Sequence, residues 1–547
     1  MSSPAFSPRA FHARRLPVLG GLLRLLRGNG LGAAAFSGVG TPLPVLVPGD
    51  PAIARQLYRG SFRLAGQTRE CRPADVFAMP PPSSAWWDEL TAFEWLKHFD
   101  AAGLALYRAF ARTLLITFAK QRAATSFTAD CRRLTALARH AGFLLSGASE
   151  SVARDILKIA AAEVRHLASQ RPRRAADQLR QALALLSAGL AFRGASSLRG
   201  AALSRCAALA SIMILADGGP ADRNPQTLLN LLAELLPLRG GLEAQRVPIP
   251  PALAAAIARG LEGLALLSHA SGGLAVFQGV DDTAQARIAA VLTPRAELLP
   301  TVWHGKHSGF GHMRQGSASV IIDCGPPAQC HSPLAFEFSD GGQRIVGNCG
   351  LPIHPSHSWR AAACSAAAHT ALHIEAEDVA GAPAFLARRG APRQLAAELV
   401  ETPHGILFKG RNELAAASFG IAHRRDLFLA AKGHDLRGED SFMRAEGHAG
   451  DWPDAGFVIR FHLAPGLRAN VDRSGSSVTL VLPDRAVWQM TARGGELHLE
   501  DSIFLATGGS PQPCKQIVIR GRVGRPDRVV WAFKKLAATE MLPRRSL

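Results

Sequence analysis

The hydrophobic period of this chain changes once, and that change limits the folds open to it. Up to about residue 270 apolar residues recur every three or four positions, whereas from Thr301 onward they recur every second position. Segments such as GLALYRAFARTLLITFAKQ, LTALARHAGFLLSG, VARDILKIAAAEVRHLASQ and AADQLRQALALLSAGLAF are Ala- and Leu-rich, and Gly, Ser, Pro or Arg clusters separate each from the next. They predict an all-helical region of successive hairpins. After it come SASVIIDCG, QRIVGNCG, RRDLFLAAKG, FVIRFHLAPG, SVTLVLPD, AVWQMTARGGELHLEDSIFLATGG, QIVIRGRV and RVVWAFKKL, short strands ended by Gly-rich turns with no long helix between them. That run predicts a sandwich of antiparallel sheets.

A chain of 547 residues exceeds what one hydrophobic core serves. The expected division is 1–80, an arm and the start of the helical region; 81–290, the helical domain; and 300–547, the β domain, with the boundary between 280 and 300. A hydrophobic fraction of 48% and a charged fraction of 19% are those of a folded protein. The net charge of +19 favours polyanionic partners, although a genome rich in Arg codons would produce the same excess. No basic helix, zinc pair or aromatic sheet motif points to nucleic acid. The eight cysteines contain no CxxC pair and read as small buried apolar residues, with a thiolate metal site around Cys324, Cys330 and Cys349 as the weaker alternative.

At the N-terminus, LPVLGGLL has basic flanks, but Arg24 and Arg27 keep the apolar run shorter than most signal-peptide cores, so no cleaved leader is expected. No stretch reaches the roughly eighteen apolar residues of a transmembrane helix. Oligomeric state is left open.

The most informative segment runs from Val320 to His369. In LAFEFS, Leu334, Phe336 and Phe338 alternate with Ala335, Glu337 and Ser339, and Asp340-Gly341 is a hairpin turn signal. The alternation predicts a half-exposed hairpin. His331 before its first strand and Asn348 near the end of its second are expected to lie close, with His369 folded onto the same site. Fourteen of nineteen histidines lie beyond residue 300; His304, His307 and His312 in TVWHGKHSGFGHM have the look of a metal cluster, but no carboxylate stands close in the sequence and the glycines favour a loop, so metal binding there is the weaker alternative.

Several strings resemble the heparinase II/III family of polysaccharide lyases: DRNPQTLLNLLAELLPLR, SGF followed by VIIDCGPP, HSPLAFEFSDGGQRIVGNCG, AAAHTAL and FGIAHRRDLFLAAKGHDLRGEDSF. The resemblance implies an incomplete α/α toroid followed by a β-sandwich, an acidic polysaccharide as partner, and a periplasmic or cell-envelope location. It also implies β-elimination at a uronate, for which a neutraliser of the C5 carboxylate, a base and an acid are needed. Carried onto this chain, Arg223 and Asn224 become the catalytic and substrate-binding candidates, one by ion pairing and the other by its amide. Asn224 also reads as the cap of a helix beginning at Pro225. His331 becomes a catalytic candidate, and His331, Asn348 and His369 become the ligands of a structural zinc.

Departures from the family pattern leave two readings open. Gln329 stands where relatives carry a catalytic histidine, and Asn348 where they carry an acidic ligand. Gly218, Gly219 and Pro220, then Ser308, Gly309 and Phe310, and then Asn412, Glu413, Leu414 and Ala415 replace strings that in relatives hold His or Tyr. The only tyrosines are Tyr58 and Tyr107, both in apolar helical settings. One reading is a lyase acting on a uronate-containing polyanion. The other is an eroded member that binds an acidic glycan.

Overall fold

The computed structural model describes residues 36–121, 124–282, 285–292, 299–353, 358–375, 395–413, 419–445, 450–525 and 527–536. The N-terminal arm, His354, His357, Leu414 and Ala415 lie outside them. The chain forms two compact units. One gathers the described residues up to Ile214 together with Asn230–Arg259, and the other gathers Leu215–Leu229 with the chain from Gly260 onward.

The helical unit contains Pro51–Tyr58, Ser84–Thr91, Leu96–Ala102, Ala105–Gln121, Phe127–Arg139, Ala141–Leu145, Glu150–Ser169, Ala175–Ala191 and Arg199–Met213. Asp50, Ser83, Ser126 and Ser149 start four of these helices, each accepting a backbone N–H of the first turn on its side-chain oxygen. The segment LTALARHAGFLLSG is not one helix, because the chain breaks at His140, whose Nδ1 lies 2.7 Å from Asp100 Oδ2. Two small sheets interrupt the helices: β1 (Gly38–Val39) pairs with β4 (Phe192–Arg193), and β2 (Ser61–Leu64) pairs with β3 (Gln67–Glu70). Tyr58 and Tyr107 pack with their rings tilted, centroids 5.3 Å apart, in an aromatic cluster with Phe99 and Phe110. Both are packing residues. Helices Pro225–Ala244 and Pro251–Leu266 each run across the division between the units.

The β unit opens with β5 (Val302–Gly305), β6 (Phe310–Gln315), β7 (Ala318–Asp323), β8 (Phe336–Asp340), β9 (Gln343–Gly347) and β10 (Leu372–Ile374). It continues with β11 (Leu395–Thr402), β12 (Gly405–Asn412), β13 (Ile421–Ala430), β14 (Asp435–Arg444), β15 (Gly456–Leu463) and β16 (Arg468–Val471). The last strands are β17 (Ser477–Val481), β18 (Val487–Arg493), β19 (Glu496–Phe504), β20 (Gln512–Arg522) and β21 (Arg528–Lys535). One sheet has the order β19-β20-β15-β9-β8-β7-β6-β5, with β10 added beside β15; the other has the order β11-β12-β13-β14-β21-β18-β17-β16. Val320, Phe336, Phe338 and Phe461 of the first sheet share one core with Phe408, Leu427, Trp488, Trp531 and Phe533 of the second. Phe336 and Trp531 stack across it at 5.5 Å. This is the antiparallel sandwich that the period-two pattern predicts.

Asp340-Gly341 does turn β8 into β9, with Gly341 and Gly342 both at positive φ. The hairpin is not half-exposed, however, since every residue of β8 is buried, Glu337 included. Upstream, Leu267, Ala275 and Phe277 pack with Phe310, Ile321 and Ala335, so the segment after Gly260 sits in the β unit's own core. Among the described residues no helix is long and apolar enough to cross a membrane.

Two histidines in this sandwich make stability depend on pH. His312 on β6 lies 2.6 Å from Ser319 Oγ, and His462 on β15 lies 2.8 Å from Ser502 Oγ and 3.0 Å from the Ala367 carbonyl. Burial holds both imidazoles neutral and lowers their pKa to about 3. The unfolded chain therefore takes up these protons first, below about pH 6.5, and stability is full above that value and falls as the pH drops towards 3. Each group removes up to about 1.4 kcal/mol per pH unit across that window. Melting temperature followed against pH should be level above pH 7 and fall steeply from 6.5 to 4, with a shallower fall in His462→Gln. A level profile down to pH 4.5 would contradict it.

Candidate functional site

Arg223 and Asn224 lie in a tight turn that ends in a helix. Arg223 N–H donates to the Pro220 carbonyl at 3.0 Å, and Arg223 itself sits at φ +63, an uncommon conformation for a non-glycine residue. Asn224 Oδ1 then accepts the Gln226 N–H at 2.9 Å, capping the helix that begins at Pro225. The Asn224 oxygen thus serves the helix.

Arg223 is buried, and each of its three guanidinium nitrogens is engaged within the β unit. Nε donates to the Ser308 carbonyl at 2.8 Å and Nη2 to the Gly309 carbonyl at 3.0 Å, while Nη1 donates to the Pro326 carbonyl. Nη2 also forms an ion pair with Asp323, and the guanidinium lies over the Phe310 ring at 5.0 Å. The glycines of SGF and DCGPP permit this approach: Gly309 is at φ +72, and a Cβ on Gly325 would stand 2.7 Å from the guanidinium carbon. As placed, the guanidinium joins loops of the protein to one another and does not offer itself to a ligand's carboxylate.

Asp323 carries the network onward. Its Oδ2 accepts from Gln278 Nε2 at 2.7 Å and from Ser332 Oγ at 3.1 Å. Gln278 Oε1 in turn accepts three successive backbone N–H groups, Ala328 at 3.1 Å and Gln329 and Cys330 at 3.0 Å each. Asp217 braces the same region by accepting the N–H groups of His307 and Ser308, both at 2.7 Å. The strings DRNP, SGF, DCGPP and HSP therefore meet at one buried hub of Arg223, Asp323, Gln278 and Ser332. Sequence reasoning assigned no role to Asp323 or Gln278. A carboxylate ending a wholly apolar strand, as in VIIDCGPP, was the available signal, because such a group needs a cation or several donors.

The three residues expected to converge are each tied to the segment Cys364–Thr370 or to its neighbours. His331 N–H donates to the Cys364 carbonyl at 2.8 Å, His369 Nδ1 lies 2.8 Å from the Ser365 carbonyl, and Asn348 Oδ1 accepts the Thr370 N–H at 2.8 Å. The Asn348 backbone N–H and its Nδ2 both face Glu337 Oε1, at 3.1 and 3.4 Å. Glu337 Oε2 takes a hydrogen bond from His269 Nε2 at 2.7 Å, while His269 Nδ1 faces Ser339 Oγ at 3.0 Å. Burial alone would raise the Glu337 pKa, but Arg344 and His269 outweigh it and keep the carboxyl below its usual range. A glutamate that reads as solvent-facing is therefore an internal acceptor, which corrects the half-exposed hairpin.

These residues do not fit a zinc ion. Asn348 presents its oxygen to Thr370 and its nitrogen to Glu337, and an amide brings no charge. Among the described residues no group of three or more His, Cys, Asp and Glu side chains stands ready for a metal. Gln329 is likewise structural: with its side-chain oxygen and nitrogen assigned by the surrounding donors and acceptors, its amide donates to the Gln278 carbonyl at 3.1 Å and accepts from Arg360 at 3.2 Å.

Residues 297–532 match the family model described as Heparinase II/III-like, C-terminal. Over 525 residues the chain is 30% identical to FtsZ-localized protein C of Caulobacter vibrioides, a match covering 89% of this chain and 88% of that protein. The chain belongs to the heparinase II/III family. Among solved structures it resembles heparinase III, with a TM-score of 0.69 at 11% identity over 96% of this chain and 90% of that one. It also resembles the heparan sulfate lyase HepC from Pedobacter heparinus, with a TM-score of 0.59 at 11% identity over 95% and 88%. At such identities the likeness is one of fold: an α/α toroid followed by an antiparallel β-sandwich, as expected. In this heparinase II/III member the conspicuous polar residues of that fold are bonded to one another.

Proposed function

We propose that this protein acts by binding and not by β-elimination, as a heparinase-fold scaffold associated with FtsZ assemblies. The observation that carries this reading is the position of Arg223, whose guanidinium nitrogens are all bound inside the protein beside Asp323. Elimination needs a group within reach of the C5 carboxylate, a base for the C5 proton and an acid for the leaving oxygen. Gln329 is no proton acceptor at neutral pH, and both tyrosines belong to the helical core. The FtsZ partner is supported by the name of the relative that matches most of this chain, FtsZ-localized protein C.

The test is sedimentation. The full chain mixed with FtsZ assembled in GTP should pellet with the polymers and stay in the supernatant with FtsZ held in GDP; equal recovery in both supernatants would overturn the FtsZ reading. The net charge of +19 favours a second reading, binding of an acidic polysaccharide. Retention on immobilised heparan sulfate that weakens as salt shortens the screening length to about 8 Å would support it.

A further inference from the structure

The outward face of the second sheet is divided by charge. The ladder registers set its side chains in rows across β13, β14, β21 and β18: Asp426, Glu439, Val530 and Arg493 form one row, and Phe428, Arg437, Ala532 and Thr491 the next. With Leu407 of β12 these residues line an open groove of about 430 Å³, whose apolar part is Leu407, Phe428, Val530 and Ala532. On the β13–β14 side each acid has a cation, Asp426 with Arg424, Asp435 with Arg437, and Glu439 with Arg528 at 3.7 Å. On the other side Arg493 and Lys534 are exposed, and neither side chain makes an ion pair or hydrogen bond among the described residues. β18 and β21 contain no acidic residue.

We propose that two copies of this chain dock through this face, sheet on sheet, about a two-fold axis that runs along the strands over the seam between β14 and β21. Such an axis lays β13 and β14 of each copy on β18 and β21 of the other. Asp426 shares a row with Arg493, and Asp435 shares one with Lys534, so Asp426 then faces the second copy's Arg493 and Asp435 faces its Lys534, each contact occurring twice. The two cations without partners thereby meet the strands that carry the acids. Val530 and Ala532 lie beside the axis and are small enough to let the sheets close to the usual spacing of about 10 Å.

Charge selects this occupant over others. A partner of one sign would suit one half of the face and be repelled by the other, whereas a second copy turned by a two-fold axis suits both. The apolar groove agrees, because the solvated face of an antiparallel sheet is ordinarily polar and Leu407, Phe428, Val530 and Ala532 break that rule. Area agrees as well: the six strands from β12 to β17 in sheet order, about 4.8 Å apart with outward rows about 6.8 Å apart, present roughly 800 Å², which is what one side of a stable dimer covers. This inference does not depend on the FtsZ reading.

The experiment is sedimentation velocity on the intact chain over a wide range of concentration. Wild type should sediment as a dimer at the upper end of the range. Asp426→Arg and Arg493→Asp should each weaken the dimer by at least about tenfold, because like charges then face each other twice. Mixed in equal amounts, the two variants should recover it as a heterodimer, since the introduced arginine then faces the introduced aspartate and Arg493 faces Asp426. Asp435→Lys with Lys534→Asp repeats the exchange at the second contact, and melting curves identify the variants that are folded. A wild type that stays monomeric throughout, single variants that dimerise as wild type does, or folded single variants whose mixture stays monomeric would overturn the proposal.

Discussion

Asp440→Ala should lower the stability of the β unit by about 3–5 kcal/mol, because it strands a cation inside the sandwich. Asp440 on β14 is fully buried and accepts four hydrogen bonds: Arg425 Nε and His423 Nε2 at 2.7 Å on Oδ1, and Trp531 Nε1 at 2.8 Å and Arg425 Nη2 at 3.1 Å on Oδ2. Arg425 Nη1 spans on to the carbonyls of Leu334 and Thr370, each at 3.0 Å. Burial alone would raise the Asp440 pKa, but Arg425 and His423 outweigh it and hold the carboxyl well below the usual range. Its stabilisation is therefore complete above about pH 4 and lost only as the pH falls through the depressed folded value, so a measurement at pH 7.5 samples it in full. Urea unfolding followed by tryptophan fluorescence gives the number. Asp440→Asn, which keeps some acceptors but loses the charge, should fall between wild type and Asp440→Ala. A loss below about 1 kcal/mol for Asp440→Ala would mean that the network does not hold the sheets.

Arg223→Ala and Asp323→Ala should each cost about 3–5 kcal/mol on the same grounds, and their effects should not add. Asp323→Ala leaves the guanidinium buried against Phe310 and the backbone carbonyls of Ser308, Gly309 and Pro326, and Arg223→Ala leaves the carboxylate with only Gln278, Ser332 and the Gly325 N–H. The double variant, lacking both charges, should therefore be more stable than the sum of the two losses allows, with a coupling of about 1–3 kcal/mol. Urea midpoints of the four proteins test this. If Arg223→Ala instead left stability unchanged and abolished retention on heparan sulfate, the guanidinium would face a ligand and the hub would not be a lock.

How much of this was legible in the sequence depends on whether the cause is local. The helical and strand periods, the Asp340-Gly341 turn and the cap at Asn224 all follow from neighbours in sequence, and the structure contains each of them. Asp323 and Gln278 were not legible as a site because their partners are distant: Arg223 is 100 positions from Asp323, and Gln278 is 45. Glu337 misled for the same reason. A glutamate in an alternating strand reads as a solvent-facing residue until His269, 68 positions earlier, is placed against it. β11 and β12 escaped the strand pattern because Glu398 and Lys409, paired across the ladder, blur the apolar alternation. The family strings located the right loops, but their departures, Gln329 and Asn348 above all, told more about chemistry than their matches did. Both amides are hydrogen-bonded within the protein, at positions where the resemblance implies a base and a metal ligand.

A binding role for this heparinase fold is tested most directly by looking for elimination itself. Purified full-length protein incubated with heparan sulfate, alginate or hyaluronan should give no rise in the near-ultraviolet absorbance of an unsaturated uronate above the rate in buffer, while heparinase III run beside it on heparan sulfate does. A rise with any of the three, lost in a folded Arg223→Ala or His331→Ala variant, would contradict the binding role and restore a lyase.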